Sequence, residues 1–198
     1  MNIIYLHGFQ SSAFSIKGQQ LKAYCQAHTQ HQVHLPDLNM PPLEVLRMLS
    51  VLIEAMSDVA LVGSSLGGFY ATQLVAKYKI PAVLINPAMQ PWSLFRNLFG
   101  SELLPLKVTD TWVLDDSQLD QLEHLAVPFV QDADKILLLL QQGDEVLDYR
   151  VAQGYYSAAP HASVMITDMQ GNHAMDDFAD KIPLLLEFLS YSISNSIK

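Results

Sequence analysis

The feature that most constrains the fold is the run Gly63-Ser64-Ser65-Leu66-Gly67, which stands between two stretches of opposite pattern. The residues before it, 59–62, are continuously apolar, which is typical of a buried strand. The residues after it, 66–78, follow a helical pattern. A strand that turns straight into a helix through Gly-x-Ser-x-Gly is the setting of a nucleophile elbow. The sequence therefore predicts that Ser65 stands exposed at the carboxyl end of a buried strand.

Steric crowding accounts for the glycines at 63 and 67. In such a turn, side chains two positions before and after the serine would collide with the adjacent strand or helix. The helix that begins there also points its free N–H groups and the positive end of its dipole at the serine. The alternative is a glycine-rich turn that only caps a helix. Ser64 lies outside the Gly-x-Ser-x-Gly pattern, and we interpret it as a turn residue.

Strand and helix patterns alternate along most of the chain, which predicts an α/β fold. Alternation of this kind indicates a mostly parallel sheet with right-handed crossovers and helices on both faces. We predict six strands, at residues 2–6, 32–35, 60–63, 82–85, 136–140 and 163–167. We predict helices at residues 15–28, 42–56, 66–78, 148–157 and 178–191.

Residues 88–127 interrupt this alternation and form an insert of unusual length for a loop. Both tryptophans of the chain lie in it, together with several phenylalanines. Its aromatic side chains could form an apolar substrate pocket, or they could pack the insert onto the sheet. The residues concerned are Trp92, Phe95, Phe99 and Trp112.

A serine nucleophile needs a base, and the base needs a carboxylate that orients it. Asp144 follows the fifth predicted strand and His173 follows the sixth, in the chain order serine, acid, histidine that this kind of site uses. Asp144 could instead be only a helix cap, and His173 an ordinary loop histidine. Asp148 is the second candidate acid, although we expect it to cap the following helix, and Glu145 should be solvated.

The first strand runs into His7-Gly8-Phe9, where Gly8 lets the backbone approach the serine closely. A His-Gly pair at this point is typical of the oxyanion loop of lipases and esterases, although a plain strand-to-helix turn would look similar. In the first case the backbone N–H groups of Phe9 and Leu66 would form the oxyanion hole.

Composition excludes several classes of protein. The net charge of -9, with only 11 basic residues, argues against a nucleic-acid partner. The single cysteine, Cys25, excludes an intrachain disulfide. The longest aliphatic run, residues 136–140, is far shorter than a membrane span, and the first residues do not resemble a signal peptide. These features predict a cytoplasmic protein, and no set of side chains suggests a metal site.

Five segments together resemble the YqiA/YcfP-like esterases, a family of small bacterial α/β-hydrolases. The segments are IIYLHGFQSS, LVGSSLGGFYAT, INPAM, LLQQGDEVLDYR and GNHAM, and they are spread over nearly the whole chain. The resemblance implies a nucleophile at Ser65, an acid at Asp144 and a base at His173. It also implies a reduced α/β-hydrolase domain over residues 1–198, with strand order 2-1-3-4-5-6 and a short cap formed by residues 88–127.

The implied activity is hydrolysis of a small-molecule carboxylic ester or acyl thioester through an acyl-enzyme, without metal or organic cofactor. Two alternatives use the same residues differently. One is a hydrolase-fold protein that binds a ligand while its triad stays idle, and the other is an acyltransferase or amidase. The sequence does not distinguish ester from thioester, and it leaves the acyl chain length and the oligomeric state open.

Overall fold

The central element of the computed structural model is a parallel six-stranded sheet. The structure describes residues 1–158 and 162–195. The strands are β1 (Asn2–Leu6), β2 (Gln32–His34), β3 (Val59–Ser64), β4 (Ala82–Ile85), β7 (Ile136–Gln141) and β8 (Val164–Asp168). Their order across the sheet is β2-β1-β3-β4-β7-β8, and all neighbours pair in parallel. The predicted order 2-1-3-4-5-6 is confirmed, with β7 and β8 as the fifth and sixth strands of this sheet.

Seven α-helices surround the sheet in the described residues. They are α1 (Ile16–His28), α2 (Pro42–Glu54), α3 (Leu66–Tyr78), α4 (Pro91–Leu103), α5 (Asp116–Leu125), α6 (Tyr149–Tyr156) and α7 (Phe178–Asn195). A short 3-10 helix, Ala133–Lys135, leads into β7. None of the described helices has the length and apolar character that crossing a lipid bilayer requires.

The alternation of side chains along each strand creates a core on each face of the sheet. In β1, Ile3 and Tyr5 face one core while Ile4 and Leu6 face the other. Helices α1 and α7 cover the first core, and α2, α3 and α6 cover the second. Strands covered on both faces carry continuous apolar runs, which explains why the four central strands β1, β3, β4 and β7 could be recognised in the sequence.

The insert of residues 88–127 is more regular than a loop. It contains α4, a two-stranded antiparallel sheet of β5 (Leu106–Lys107) and β6 (Val113–Leu114), and α5. Its buried apolar side chains join the core beneath α2 and α3. The guanidinium of Arg96 in α4 binds carboxylates of Asp116 and Asp120 in α5, which ties the two helices together.

Candidate active site

Ser65 occupies a strained turn between β3 and α3. Its backbone is left-handed, with φ 53° and ψ -118°, a conformation that non-glycine residues rarely adopt. The turn persists because hydrogen bonds fix it from several sides. Ser65 N donates to Ile85 O at 3.0 Å, and Ser65 O accepts from the N–H groups of Gly68 and Phe69 at 2.9 and 3.2 Å. This turn holds the serine at the carboxyl end of β3.

The glycines on either side of Ser65 are required by close backbone contacts. A Cβ added at Gly63 would lie 2.5 Å from Gly67 O, and one added at Gly67 would overlap the Leu6 carbonyl group. The following residue, Gly68, is equally confined, because a Cβ there would lie 2.7 Å from Cβ of Pro87. The crowding comes from both neighbouring strands as well as from the helix.

His173 and Asp144 are brought together at the same edge of the sheet. His173 Nδ1 lies 2.8 Å from Asp144 Oδ2, and the Asp144 side chain is only 2% exposed. Its other oxygen, Oδ1, accepts from the backbone N–H groups of Val146 and Leu147, both at 2.8 Å. Three hydrogen bonds therefore hold this carboxylate in one orientation.

The two neighbouring acids have other contacts. Asp148 caps α6, accepting a hydrogen bond from Arg150 N at 3.0 Å. Glu145 Oε2 accepts from His173 N at 3.0 Å, so this exposed carboxylate binds the backbone of the histidine. The contact between Glu145 and His173 could not be read from the sequence, because it depends on how two loops meet.

The loop after β1 lies against Ser65. A Cβ on Gly8 would lie only 3.2 Å from Ser65 Cβ, so a side chain there would press against the serine. Buried His7 orients this loop. Its Nε2 accepts from Leu38 N at 2.9 Å, which leaves the proton on Nδ1, 2.8 Å from Gly8 O. That carbonyl shares a peptide plane with Phe9 N, so His7 fixes the direction of the Phe9 N–H.

A cavity of about 520 Å³ opens beside the serine. Ser65 and His173 both line it, together with Phe14, just before α1, and Lys17 in the first turn of that helix. Phe14 is 83% exposed, so the mouth of the cavity has an apolar side. Lys17 Nζ donates to Ala174 O at 2.6 Å, and burial lowers the pKa of its ammonium group, against the opposing attraction of Asp176.

The aromatic side chains of the insert are used for packing and do not line this cavity. Phe95 and Trp112 are each 5% exposed, and their rings pack against the ring of Phe9 with centroids 4.5 and 6.1 Å away. Phe99 joins the same group at 6.0 Å from Phe9, and Trp92 packs against Phe69. These contacts pack the insert against Phe9 and α3, and a role of the four residues in a substrate pocket stays a prediction. Burying the apolar area of these rings stabilises the packing of the insert.

Known proteins of the same fold include several hydrolases. A provisionally named hydrolase from Agrobacterium vitis S4 has a TM-score of 0.75 at 18% identity, over 95% of this chain and 87% of that one. Mouse alpha/beta hydrolase domain-containing protein 10 has a TM-score of 0.72 at 20% identity, over 98% and 90%. The esterase domain of a Rhodothermus marinus protein has a TM-score of 0.67 at 17% identity, over 98% and 86%. The fold is therefore that of the α/β-hydrolases.

A family comparison covers nearly the whole chain. The model of the uncharacterised protein family UPF0227 matches residues 2–190. This range includes the strained turn at Ser65, the insert and the loops that carry Asp144 and His173. The predicted resemblance to YqiA/YcfP-like proteins is confirmed, and the chain belongs to this family of α/β-hydrolase fold.

Proposed function

We propose that this chain is a serine hydrolase that cleaves small-molecule carboxylic esters or acyl thioesters with Ser65, His173 and Asp144. The observation that carries the proposal is the hydrogen bond of 2.8 Å between His173 and the buried Asp144 carboxylate. His173 lines a cavity that the strained serine also lines. A buried carboxylate bound to a histidine beside such a serine is the arrangement that activates a hydroxyl nucleophile.

The hydrogen bond assigns the roles of the two imidazole nitrogens. Because Nδ1 of His173 is bound to Asp144, Nε2 takes the proton from Ser65 Oγ as that oxygen attacks the acyl carbonyl carbon. The same proton then passes to the leaving alcohol or thiol, and the acyl-enzyme remains. Water then attacks the acyl carbonyl carbon while His173 Nε2 takes one of its protons. As the bond to Ser65 Oγ breaks, His173 returns that proton to Oγ, which restores the serine hydroxyl group and releases the acid product.

The negative oxygen that forms in each step would be bound by the N–H groups of Phe9 and Leu66. Leu66 begins α3, and the first N–H groups of a helix have no acceptor within it. Phe9 follows Gly8, which lies against the serine. One such donor contributes roughly 2.7–4 kcal/mol to the stability of the transition state.

The direct test compares two adjacent serines on a panel of ester, thioester and amide substrates. We expect Ser65→Ala to lower kcat by roughly 10⁶-fold, as for other triad knock-outs, with the far-UV circular dichroism unchanged. Ser64→Ala is the matched control, since it removes a hydroxyl group from the last residue of β3, and it should keep kcat within a few-fold. Hydrolysis that survives Ser65→Ala would refute the mechanism, and a wild-type protein inactive on the whole panel would favour a binding role with an idle triad.

A further inference from the structure

Two buried amide side chains, Asn86 and Gln141, lie at the ends of the strands next to the elbow. Asn86 follows β4 and is 3% exposed, while Gln141 ends β7 and is 1% exposed. Burying an amide costs free energy unless hydrogen bonds replace its contacts with water. Both lie in segments that the resemblance singled out, INPAM and LLQQGDEVLDYR, yet neither takes part in the proposed chemistry.

The polar atoms of both amides converge on the loop that carries the histidine. Asn86 Nδ2 lies 3.2 Å from Asn172 O and 3.3 Å from His173 O, and it donates to both carbonyls. Gln141 Oε1 accepts from Asn172 N at 2.7 Å. Both backbone hydrogen-bonding groups of Asn172 and the carbonyl of His173 are thus bound by two side chains from the sheet.

The same amides are fixed to the sheet and to each other. Asn86 N donates to Leu139 O, and Asn86 Oδ1 accepts from Gln141 N, both at 3.0 Å. Gln141 Nε2 donates to Asp177 Oδ1 at 2.6 Å, and Asp177 in turn pairs with Lys181. Asn86 itself adopts a left-handed backbone with φ 40°, a conformation that asparagine tolerates better than most residues.

Two consecutive residues, Ile85 and Asn86, therefore bind the backbones of both Ser65 and His173. Ile85 O accepts from Ser65 N at 3.0 Å, and the side chain of Asn86 binds the carbonyl of His173. Any shift of the histidine loop relative to the serine must break one of these bonds. A displacement of 1 Å between reacting groups can cost roughly 10²-fold in rate.

We infer that Asn86 and Gln141 are positioning residues that fix the His173 backbone, and with it the imidazole, relative to Ser65. This inference rests on the proposed serine-hydrolase function. It predicts that removing either amide lowers kcat while KM changes little, because substrate contacts stay in place. A role in stability alone would lower the melting temperature without lowering the kcat of the folded protein.

The first test replaces each amide by an apolar side chain of similar size, Asn86→Leu and Gln141→Met. The matched control is Gln73→Met, because Gln73 also bonds backbone at both ends, to Phe69 O at 3.0 Å and Val127 N at 2.9 Å, away from the triad. On an activated ester we expect kcat to fall roughly 10²-fold for the first two variants, with KM within about threefold. Gln73→Met should keep its kcat even if its melting temperature falls.

A second test restores the hydrogen bonds by exchanging donor and acceptor. Gln141→Glu keeps the acceptor for Asn172 N but sets a carboxylate against Asp177, so we expect a loss of kcat comparable with that of Gln141→Met. Adding Asp177→Asn returns the bond between residues 141 and 177 with its direction reversed. The double variant should recover kcat to within a few-fold of the wild type, and it remains informative if Asn86→Leu fails to fold.

The outcomes separate this inference from the proposed function. If hydrolysis depends on Ser65 but folded Asn86→Leu and Gln141→Met keep their kcat, the positioning role is wrong and the proposed function stands. A double variant that stays as slow as Gln141→Glu alone would also overturn the positioning role. If the wild-type protein shows no hydrolysis that depends on Ser65, both proposals fail together.

Discussion

Replacing Gly67 by alanine tests the close packing of β1 against the helix that follows the serine. The added Cβ would overlap Leu6 O, lie 2.5 Å from the Leu6 carbonyl carbon and lie 2.8 Å from His7 O. All three atoms belong to the backbone at the end of β1, which pairs with strands on both sides. No flexible side chain can move aside, so the first turn of α3 or the end of β1 must shift.

The size of the effect follows from the kind of contact. Overpacking a core costs typically about 1–3 kcal/mol, and contacts with paired backbone place this substitution at the upper end, about 3 kcal/mol. For a chain of this size each kcal/mol lowers the melting temperature by roughly 2–4 °C, so we expect Gly67→Ala to melt roughly 6–12 °C below the wild type.

Gly154→Ala is the matched control for this substitution. Gly154 lies inside α6, and nothing lies within 4 Å of an added Cβ. Alanine is favoured over glycine in a helix by roughly 0.5–1 kcal/mol, so this variant should melt about 1–4 °C above the wild type. Thermal unfolding followed by circular dichroism measures both. A Gly67→Ala protein that melts within about 1 °C of the wild type would refute the packing described for this turn.

Three further predictions concern single residues. Gly8→Ala should lower kcat on an activated ester with little change in melting temperature, since its Cβ would lie 3.2 Å from Ser65 Cβ and 3.8 Å from Ser65 Oγ. An unchanged kcat would argue against the close contact between residue 8 and Ser65. Burial raises the pKa of Tyr5 to about 12, so its contribution to stability is fully present below about pH 10 and is lost as pH rises towards 12. The free energy of unfolding should therefore fall less steeply with pH for Tyr5→Phe than for the wild type over this range, and equal slopes would contradict this. Cys25 is fully buried and burial raises the pKa of its thiol, so a thiol reagent should modify it in the unfolded protein and not in the native one, as mass spectrometry would show.

The sheet was predictable because its four central strands, β1, β3, β4 and β7, are buried on both faces. Each of the six predicted strands has its counterpart, with ends that differ by at most one residue, such as Gln32–His34 for 32–35 and Val164–Asp168 for 163–167. The largest error among the helices is at α7, which continues to Asn195 instead of ending at 191. Ile193 packs against the core beyond the predicted end, and helix ends are the part of an element that a sequence pattern fixes least.

The insert was not predictable in detail. Residues 88–127 contain two helices and a small antiparallel sheet whose strands are only two residues long. Strands of that length show no periodicity. The insert also buries its aromatic side chains against Phe9, a contact between segments about 90 residues apart, so local pattern cannot separate a packed aromatic ring from one that lines a pocket.

Candidate site residues could be chosen from the sequence because each follows a strand directly. The carboxyl ends of parallel strands meet at one edge of the sheet, and this explains why Asp144 and His173, 29 positions apart, are in contact. The supporting contacts were missed. Asn86 and Gln141 carry no signature of a catalytic site, and their role depends on the distance between two loops that only the fold determines.

The central claim is that Ser65 is an activated nucleophile, and covalent labelling tests it most directly. A fluorophosphonate reacts with serines whose hydroxyl group is activated by a neighbouring base. After digestion of the labelled protein, mass spectrometry should find the adduct on Ser65, and it should be absent from Ser65→Ala but present in Ser64→Ala. No adduct on the folded wild-type protein, or an adduct that persists on another residue in Ser65→Ala, would contradict the account.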